Sequence, residues 1–153
     1  MCLNRFPKTR KSQKKIINIF LFFFWYSNSV RTDLESFLET GKEFDCIISN
    51  NDAMALGAIK ALENKGIDPS SIPIVGIDAT ADAVEAIQNG TMSMSVFQSA
   101  AGQAEAAIRI AKSLIDGKPA GEGTDCTVSD ECDSLFYVPF EKVTSENVND
   151  YAK

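Results

Sequence analysis

The sequence predicts an α/β fold in which a parallel sheet carries helices on both of its faces. From residue 31 onward, strand-like and helix-like segments alternate at the spacing of parallel βαβ units. Strand-like segments such as residues 46–48 and 74–77 are continuous apolar runs and lack the alternating pattern of a half-exposed strand. Continuous apolar strands indicate that helices cover both faces of the sheet.

The predicted strands are short apolar runs bounded by turn-forming or polar residues. Pro73, for example, directly precedes the apolar run at residues 74–77. The predicted strands cover residues 46–48, 74–77, 92–97 and 135–140.

The predicted helices repeat apolar side chains at intervals of three and four residues, as Leu34, Phe37 and Leu38 do in the first of them. Gly66 and Gly117 mark the ends of two others, since glycine is common directly after a helix. The predicted helices cover residues 33–41, 53–66, 80–89, 99–116 and 145–151.

Residues 1–30 differ in composition from the rest of the chain. They contain six basic residues and no acid, and the basic part is followed by an apolar run at residues 16–26. This order is typical of a secretory signal, and the run is shorter than the roughly 20 apolar residues of a membrane span. The alternative is that these residues are the accidental N-terminus of a truncated gene. Under either interpretation we expect this leader to lie outside the folded domain of residues 31–153.

The composition argues against nucleic-acid binding and against catalysis. After residue 30, the other nine basic residues stand against all 21 acids, and an acidic body of this kind repels nucleic acid. The chain has no histidine, which removes the usual general base and the commonest metal ligand. No G-x-S-x-G or G-x-G-x-x-G motif is present. We therefore expect no enzyme activity, no cofactor and no metal.

The four cysteines do not form a C-x-x-C pair, so a zinc site has no support. Cys46 lies inside an apolar run and is expected to be a core residue. Cys126 and Cys132 lie in a polar loop, where they either form a disulfide or remain free thiols.

Polar side chains follow three of the predicted strands. Asn51 and Asp52 follow the first strand, Asp78 the second and Gln98 the third. Ligands of open parallel sheets bind beyond the carboxyl ends of the strands, so these side chains are candidate ligand contacts. Amides and carboxylates suit the hydroxyls of a neutral sugar, whereas a phosphate favours glycine-rich loops, Lys or Arg. Helix capping is the alternative role for Asn and Asp at such positions.

The same segments resemble the type I periplasmic sugar-binding proteins, in particular the galactose/glucose and ribose binders. The similar runs are I-S-N-N-D-A-M-A-L-G at residues 48–57, I-V-G-I-D at residues 74–78 and V-F-Q at residues 96–98. The tail at residues 138–148 is similar as well, and the resemblance extends over residues 32–153. It implies that Asn51, Asp78 and Gln98 bind sugar hydroxyls, and it leaves Asp52 as a helix cap.

Members of this family have two lobes that close over the ligand. The resemblance implies that residues 31–97 and 138–153 belong to the C-terminal lobe, and that residues 98–137 form part of the N-terminal lobe. The fold is therefore expected to be incomplete, as in a C-terminal fragment.

The function implied by the resemblance is monosaccharide binding as the solute-binding component of a sugar ABC importer. The implied partners are the membrane permease or a chemoreceptor, the intact protein is expected to be monomeric, and the implied location is the periplasm, the cell envelope or the extracellular space. The alternative is the effector-binding part of a lactose-repressor-type transcription regulator. The sequence shows no helix-turn-helix to support that alternative.

Overall fold

The structure is a computed structural model, and it describes residues 16–18 and 27–152. Within these residues the protein has a main sheet of five strands and a smaller sheet of two. The strands are β1 (Ile16–Asn18), β2 (Cys46–Ile48), β3 (Ile74–Val75), β4 (Met94–Phe97), β5 (Thr127–Val128), β6 (Phe136–Tyr137) and β7 (Glu141–Thr144). The sheet has the order β1-β2-β3-β4-β7, in which the first four strands are parallel and β7 is antiparallel to β4. Strands β5 and β6 form a separate antiparallel ribbon.

Three of the four described α-helices pack side by side on one face of this sheet. The helices are α1 (Ser27–Glu39), α2 (Asp52–Asn64), α3 (Ala81–Gln88) and α4 (Ala100–Ile115). Helix α1 contacts α2, and α2 contacts α3. The connections from β1 to β4 all advance in the same direction across the sheet, and right-handed crossovers then place their helices on the same face.

The core lies between this helical layer and the sheet. Ile47, Ile74 and Val143 are completely buried on that face. The register pairs Ile48 with Val75 on the opposite face, where Ile48 is 44% exposed. The prediction of an α/β fold with a parallel sheet is confirmed, but the described residues supply helices to one face only. Strands β2 and β3 are continuously apolar because both of their faces carry apolar side chains, which does not require both faces to be covered within this part of the chain.

Part of the leader belongs to the fold, contrary to our expectation. Strand β1 pairs in parallel with β2, in a register that joins Ile16 to Cys46. Helix α1 begins at Ser27, six residues before the predicted start, and Val30 is completely buried. Val30 lies four residues before Leu34, so its burial extends the apolar stripe of α1 by one turn towards the N-terminus and accounts for the earlier start. The signal-peptide interpretation otherwise falls on residues outside those described.

The C-terminal region also differs from the prediction for residues 135–140. Only Phe136–Tyr137 is a strand there, and it pairs with β5. The strand that joins the main sheet is β7, which follows Pro139. Proline has no N–H to donate to a ladder, and this explains the break between the two strands. The predicted terminal helix is a single 3₁₀ turn at Val148–Asp150, and a similar turn occurs at Pro69–Ser71.

Helix α4 leaves most of its apolar side chains exposed. Ser113 is its buried residue, whereas Ile108 is 70% exposed and Ile115 is 85% exposed. Within the described residues, no helix combines the length and the apolar character that crossing a membrane requires. Cys126 and Cys132 are free thiols in the structure.

Candidate functional site

The carboxyl ends of β2, β3 and β4 lie side by side at one edge of the sheet. Backbone hydrogen bonds align them: Asp52 N donates to Ile77 O at 2.8 Å, and Asp78 N donates to Val96 O at 2.8 Å. The three predicted sugar contacts follow these strand ends. The fold therefore brings their positions to the same edge, as parallel strands require.

Asn51 begins helix α2 as its N-cap. Its backbone is extended (φ −154°, ψ 170°), its Oδ1 accepts a hydrogen bond from Met54 N at 2.9 Å, and it is 8% exposed. The expectation that Asp52 is the cap is therefore wrong, because the extended residue ahead of the helix is Asn51 and Asp52 already has helical geometry. Capping uses an acceptor of the Asn51 amide and not its donors, so a cap and a ligand contact are compatible roles.

Asp52 is completely buried and connects three elements. Its Oδ1 accepts a hydrogen bond from Ser95 Oγ at 2.6 Å, and its Oδ2 accepts one from Thr80 N at 2.8 Å. The carboxylate thus joins the start of α2 to β4 and to the residue that caps α3. Gly76 provides the space for it, since a Cβ at Gly76 would touch the carboxylate and would lie 3.2 Å from Asp52 Cα.

Asp78 and Ala79 form a turn with left-handed backbone angles. Their φ values are 116° and 52°, which only glycine adopts readily. Ala79 N donates to Ser95 Oγ at 3.0 Å. The side chain of Asp78 is exposed at the sheet edge.

The two acids at this edge have raised pKa values. Burial is the main cause for Asp52, its pKa is raised further by the nearby charge of Asp78, and the hydrogen bonds from Ser95 and Thr80 offset part of the rise. Partial desolvation by the surrounding protein also raises the pKa of Asp78, whose side chain stays exposed. Both carboxyl groups are therefore easier to protonate in the folded protein than in the unfolded chain.

Gln98 is half-buried and lies where β4 leads into α4. It lines a cavity of about 320 Å³, whose other walls come from α4, from β6 and from Cys126, Val138 and Phe140. A second cavity of about 320 Å³ lies between the first turns of α4 and the segment at residues 138–141. Neither cavity is lined by Asn51 or Asp78. The structure thus places the three predicted contacts along one edge, but it does not enclose them in one cavity.

No sequence pattern assigned a role to Ser95, and Thr80 was predicted only as the start of a helix. The signal for Ser95 was a polar residue inside a predicted apolar strand, which is unusual unless the hydroxyl has a buried partner. A second signal was Gly76 inside the preceding strand, since glycine in a strand often marks close approach of another group. In the described part of the chain, no group of acidic or cysteine side chains has the arrangement of a metal site.

The raised pKa of Asp52 predicts a stability that increases on acidification. The folded protein binds a proton on the Asp52 carboxylate more tightly than the unfolded chain does. Protonation of Asp52 therefore stabilises the fold; this contribution is fully present below the ordinary Asp pKa of 3.8 and is lost as pH rises through the raised pKa. The variant Asp52→Asn keeps the side-chain shape without the charge. We expect the free energy of unfolding of the wild type, relative to Asp52→Asn, to rise as pH falls from 7 towards 3 in urea titrations.

Asp68→Asn is a control of opposite sign for this measurement. Hydrogen bonds from the side chain and the backbone N–H of Ser70 lower the pKa of Asp68. The wild type should therefore lose stability relative to Asp68→Asn as pH falls through that lowered pKa. The same trend for both variants would contradict the assignment of the raised pKa to Asp52.

A family model described as a periplasmic binding protein domain matches residues 14–119. This chain belongs to the periplasmic binding protein family. The match starts within the leader, in agreement with the position of β1 in the sheet. The family is one of solute-binding proteins, which accords with a site built from hydrogen-bonding side chains.

Two relatives of this periplasmic binding protein are similar over most of the chain. A Rhizobium meliloti protein described as rhizopine-binding is 39% identical over 118 residues, which are 77% of this chain and 34% of the relative. The D-galactose/methyl-galactoside binding periplasmic protein MglB of Haemophilus influenzae is 30% identical over 131 residues, which are 84% of this chain and 38% of the relative. The chain thus spans little more than a third of the length of these relatives.

A solved structure supports the same fold. The ABC transporter solute binding protein of Bacillus halodurans, crystallised with bound myo-inositol, is 35% identical and superimposes with a TM-score of 0.63. The superposition covers 83% of this chain and 39% of that protein. The resemblance to the type I sugar-binding proteins is therefore confirmed.

Proposed function

We propose that this chain forms the sugar-contacting edge of a solute-binding protein of a sugar ABC importer, with Asn51, Asp78 and Gln98 as contacts to sugar hydroxyls. The observation that carries the proposal is the alignment of Asn51 and Asp78 on neighbouring strand ends in a chain of this family. An exposed carboxylate and an amide on adjacent strands offer acceptors and donors to vicinal hydroxyls. Several relatives are named for sugars or polyols, which supports a neutral polyhydroxylated ligand.

The two-lobe division is part of the proposal. Residues 31–97 and 138–153 would form one lobe, and residues 98–137 would contribute to the other. The exposure of Ile108 and Ile115 on α4 supports this, because a helix whose apolar side chains are uncovered needs further packing partners. The return of the chain through β7 to pair with β4 supports a second crossing at about residue 138.

Ligand-stabilised closure of two lobes is the mechanism that we propose for the complete protein. A sugar bound between the lobes favours the closed form by its differential affinity for that form. The closed monomer would then be recognised by the membrane permease or by a chemoreceptor outside the cytoplasmic membrane. The family description and the periplasmic relative support this location.

Asn51→Ser separates sugar contact from helix capping. Serine is as good an N-cap as asparagine, so stability should change by less than about 1 kcal/mol, but the amide donors are removed. We expect titration calorimetry with myo-inositol and D-galactose to show an affinity loss of about three- to tenfold, as for one hydrogen bond. Unchanged affinity would reject Asn51 as a contact.

Absence of sugar binding by the unmodified chain would count against the proposal itself. The effector-binding half of a transcription regulator would also bind a small ligand in this fold, so ligand binding alone does not separate the two. Binding of the sugar-loaded protein to a permease in membrane vesicles would support the importer. Sugar-dependent binding of the complete protein to operator DNA would support the regulator.

A further inference from the structure

The turn between β3 and α3 is strained in a way that its own residues do not explain. Asp78 and Ala79 are consecutive non-glycine residues with positive φ values of 116° and 52°. Such backbone angles are costly for residues other than glycine and persist only where the surroundings hold them. Strain of this kind is often found where a backbone is fixed around a ligand.

Two buried side chains hold this turn from outside. Ala79 N donates to Ser95 Oγ at 3.0 Å, and Thr80 N donates to Asp52 Oδ2 at 2.8 Å. Ser95 Oγ in turn donates to Asp52 Oδ1 at 2.6 Å, and both Asp52 and Ser95 are 0% exposed. The two amides that follow Asp78 are therefore fixed by side chains from two other elements.

Helix capping does not account for this arrangement. Thr80 already caps α3 with its own hydroxyl, which accepts a hydrogen bond from Ala83 N at 3.4 Å. The hydrogen bonds that Ser95 Oγ and Asp52 Oδ2 accept act instead on the N–H groups of Ala79 and Thr80, in the backbone that directly follows Asp78. A buried carboxylate is costly, and an uncharged core residue would fill the same space at lower cost if packing were its sole role.

We propose that Asp52 and Ser95 are positioning residues, which hold the Asp78–Ala79 turn in the left-handed conformation that presents the Asp78 carboxylate to a sugar. The sugar part of this inference rests on the proposed function, whereas the conformational part does not. The turn has its binding conformation before the ligand arrives, so the conformation does not change on binding. Pre-organisation of this kind increases affinity by removing the cost of ordering the turn on binding.

Amide hydrogen exchange in Ser95→Ala tests the conformational part on the full chain. Without the hydroxyl, Ala79 N loses its acceptor, and we expect its exchange to accelerate about five- to tenfold relative to core amides such as that of Leu62. Ser93→Ala is the matched control. It removes a hydroxyl two residues earlier, which accepts from Ile74 N at 3.3 Å, and it should leave the Ala79 amide unchanged. Equal protection of Ala79 N in the wild type and in Ser95→Ala would overturn the inference.

The affinity for myo-inositol and D-galactose tests the sugar part. Ser95→Ala should weaken binding about five- to tenfold, and this loss should shrink in the background of Asp78→Asn because both changes act through the same carboxylate. A loss of equal size in both backgrounds indicates a general structural effect and contradicts the positioning role. If the wild type binds neither sugar, the proposed function fails, and the exchange of the Ala79 amide still decides whether Asp52 and Ser95 hold the turn.

Discussion

Replacing Asp52 by alanine is expected to lower the free energy of unfolding by about 2–4 kcal/mol, the result of losing two hydrogen bonds to a buried carboxylate. Thr80 N and Ser95 Oγ would lose their acceptor, and a completely buried side chain would leave a void next to Gly76. The release of a buried charge offsets part of this cost, which is why the estimate is below the sum of the separate bonds. Urea denaturation at pH 7 measures the change.

Asp82→Ala is the control for this substitution. Asp82 lies in the first turn of α3 and is exposed, so its removal should cost less than about 1 kcal/mol, mainly through the helix dipole. A change of similar size in Asp52→Ala and Asp82→Ala would contradict the role of Asp52 as a connection between α2, β4 and α3.

Replacing Asp78 by alanine is expected to weaken sugar binding about 10- to 150-fold, the range for hydrogen bonds to a charged group. The carboxylate is exposed at the sheet edge and accepts no described hydrogen bond from the protein, so its acceptors are available to a ligand. Titration calorimetry with myo-inositol and D-galactose measures the effect. The protein concentration must be high enough to determine dissociation constants in the millimolar range.

Asp78→Gly distinguishes binding from stability at the same position. Glycine adopts a φ of 116° without steric strain, so the free energy of unfolding should not fall, while affinity should fall as in the alanine variant. Parallel losses of stability and affinity in Asp78→Gly would show that Asp78 supports the fold and does not contact the ligand directly.

Most of the fold was predictable because it depends on local patterns. The helices at Ala81–Gln88 and Ala100–Ile115 lie within the predicted ranges, and the helix at Asp52–Asn64 begins one residue before its predicted range, since apolar periodicity and capping residues are encoded within one helix. The strands at Cys46–Ile48 and Met94–Phe97 were predicted from their apolar runs for the same reason. Strand β1 was missed because a basic, apolar N-terminus resembles a targeting segment more than a strand of a sheet.

The site residues show where a sequence pattern reaches its limit. Asn51 and Asp52 are adjacent, both favour N-cap positions, and their order in the helix depends on which residue has the extended backbone. A shift by one residue decides which side chain turns into the core and which stays at the edge. Ser95 is similar, because its partner Asp52 is 43 residues away in the chain.

The sequence alone determined the α/β class with a parallel sheet, the family, and the positions of Asn51, Asp78 and Gln98 after three strands, since each depends on neighbouring residues or on a motif. Tertiary structure decided that the three described helices between the parallel strands share one face of that sheet, that β7 joins antiparallel to β4, and that Asp52 is a buried connection. The physical reason is that crossover direction, strand pairing and the burial of a charge are set by contacts between distant segments, whose geometry no local pattern contains.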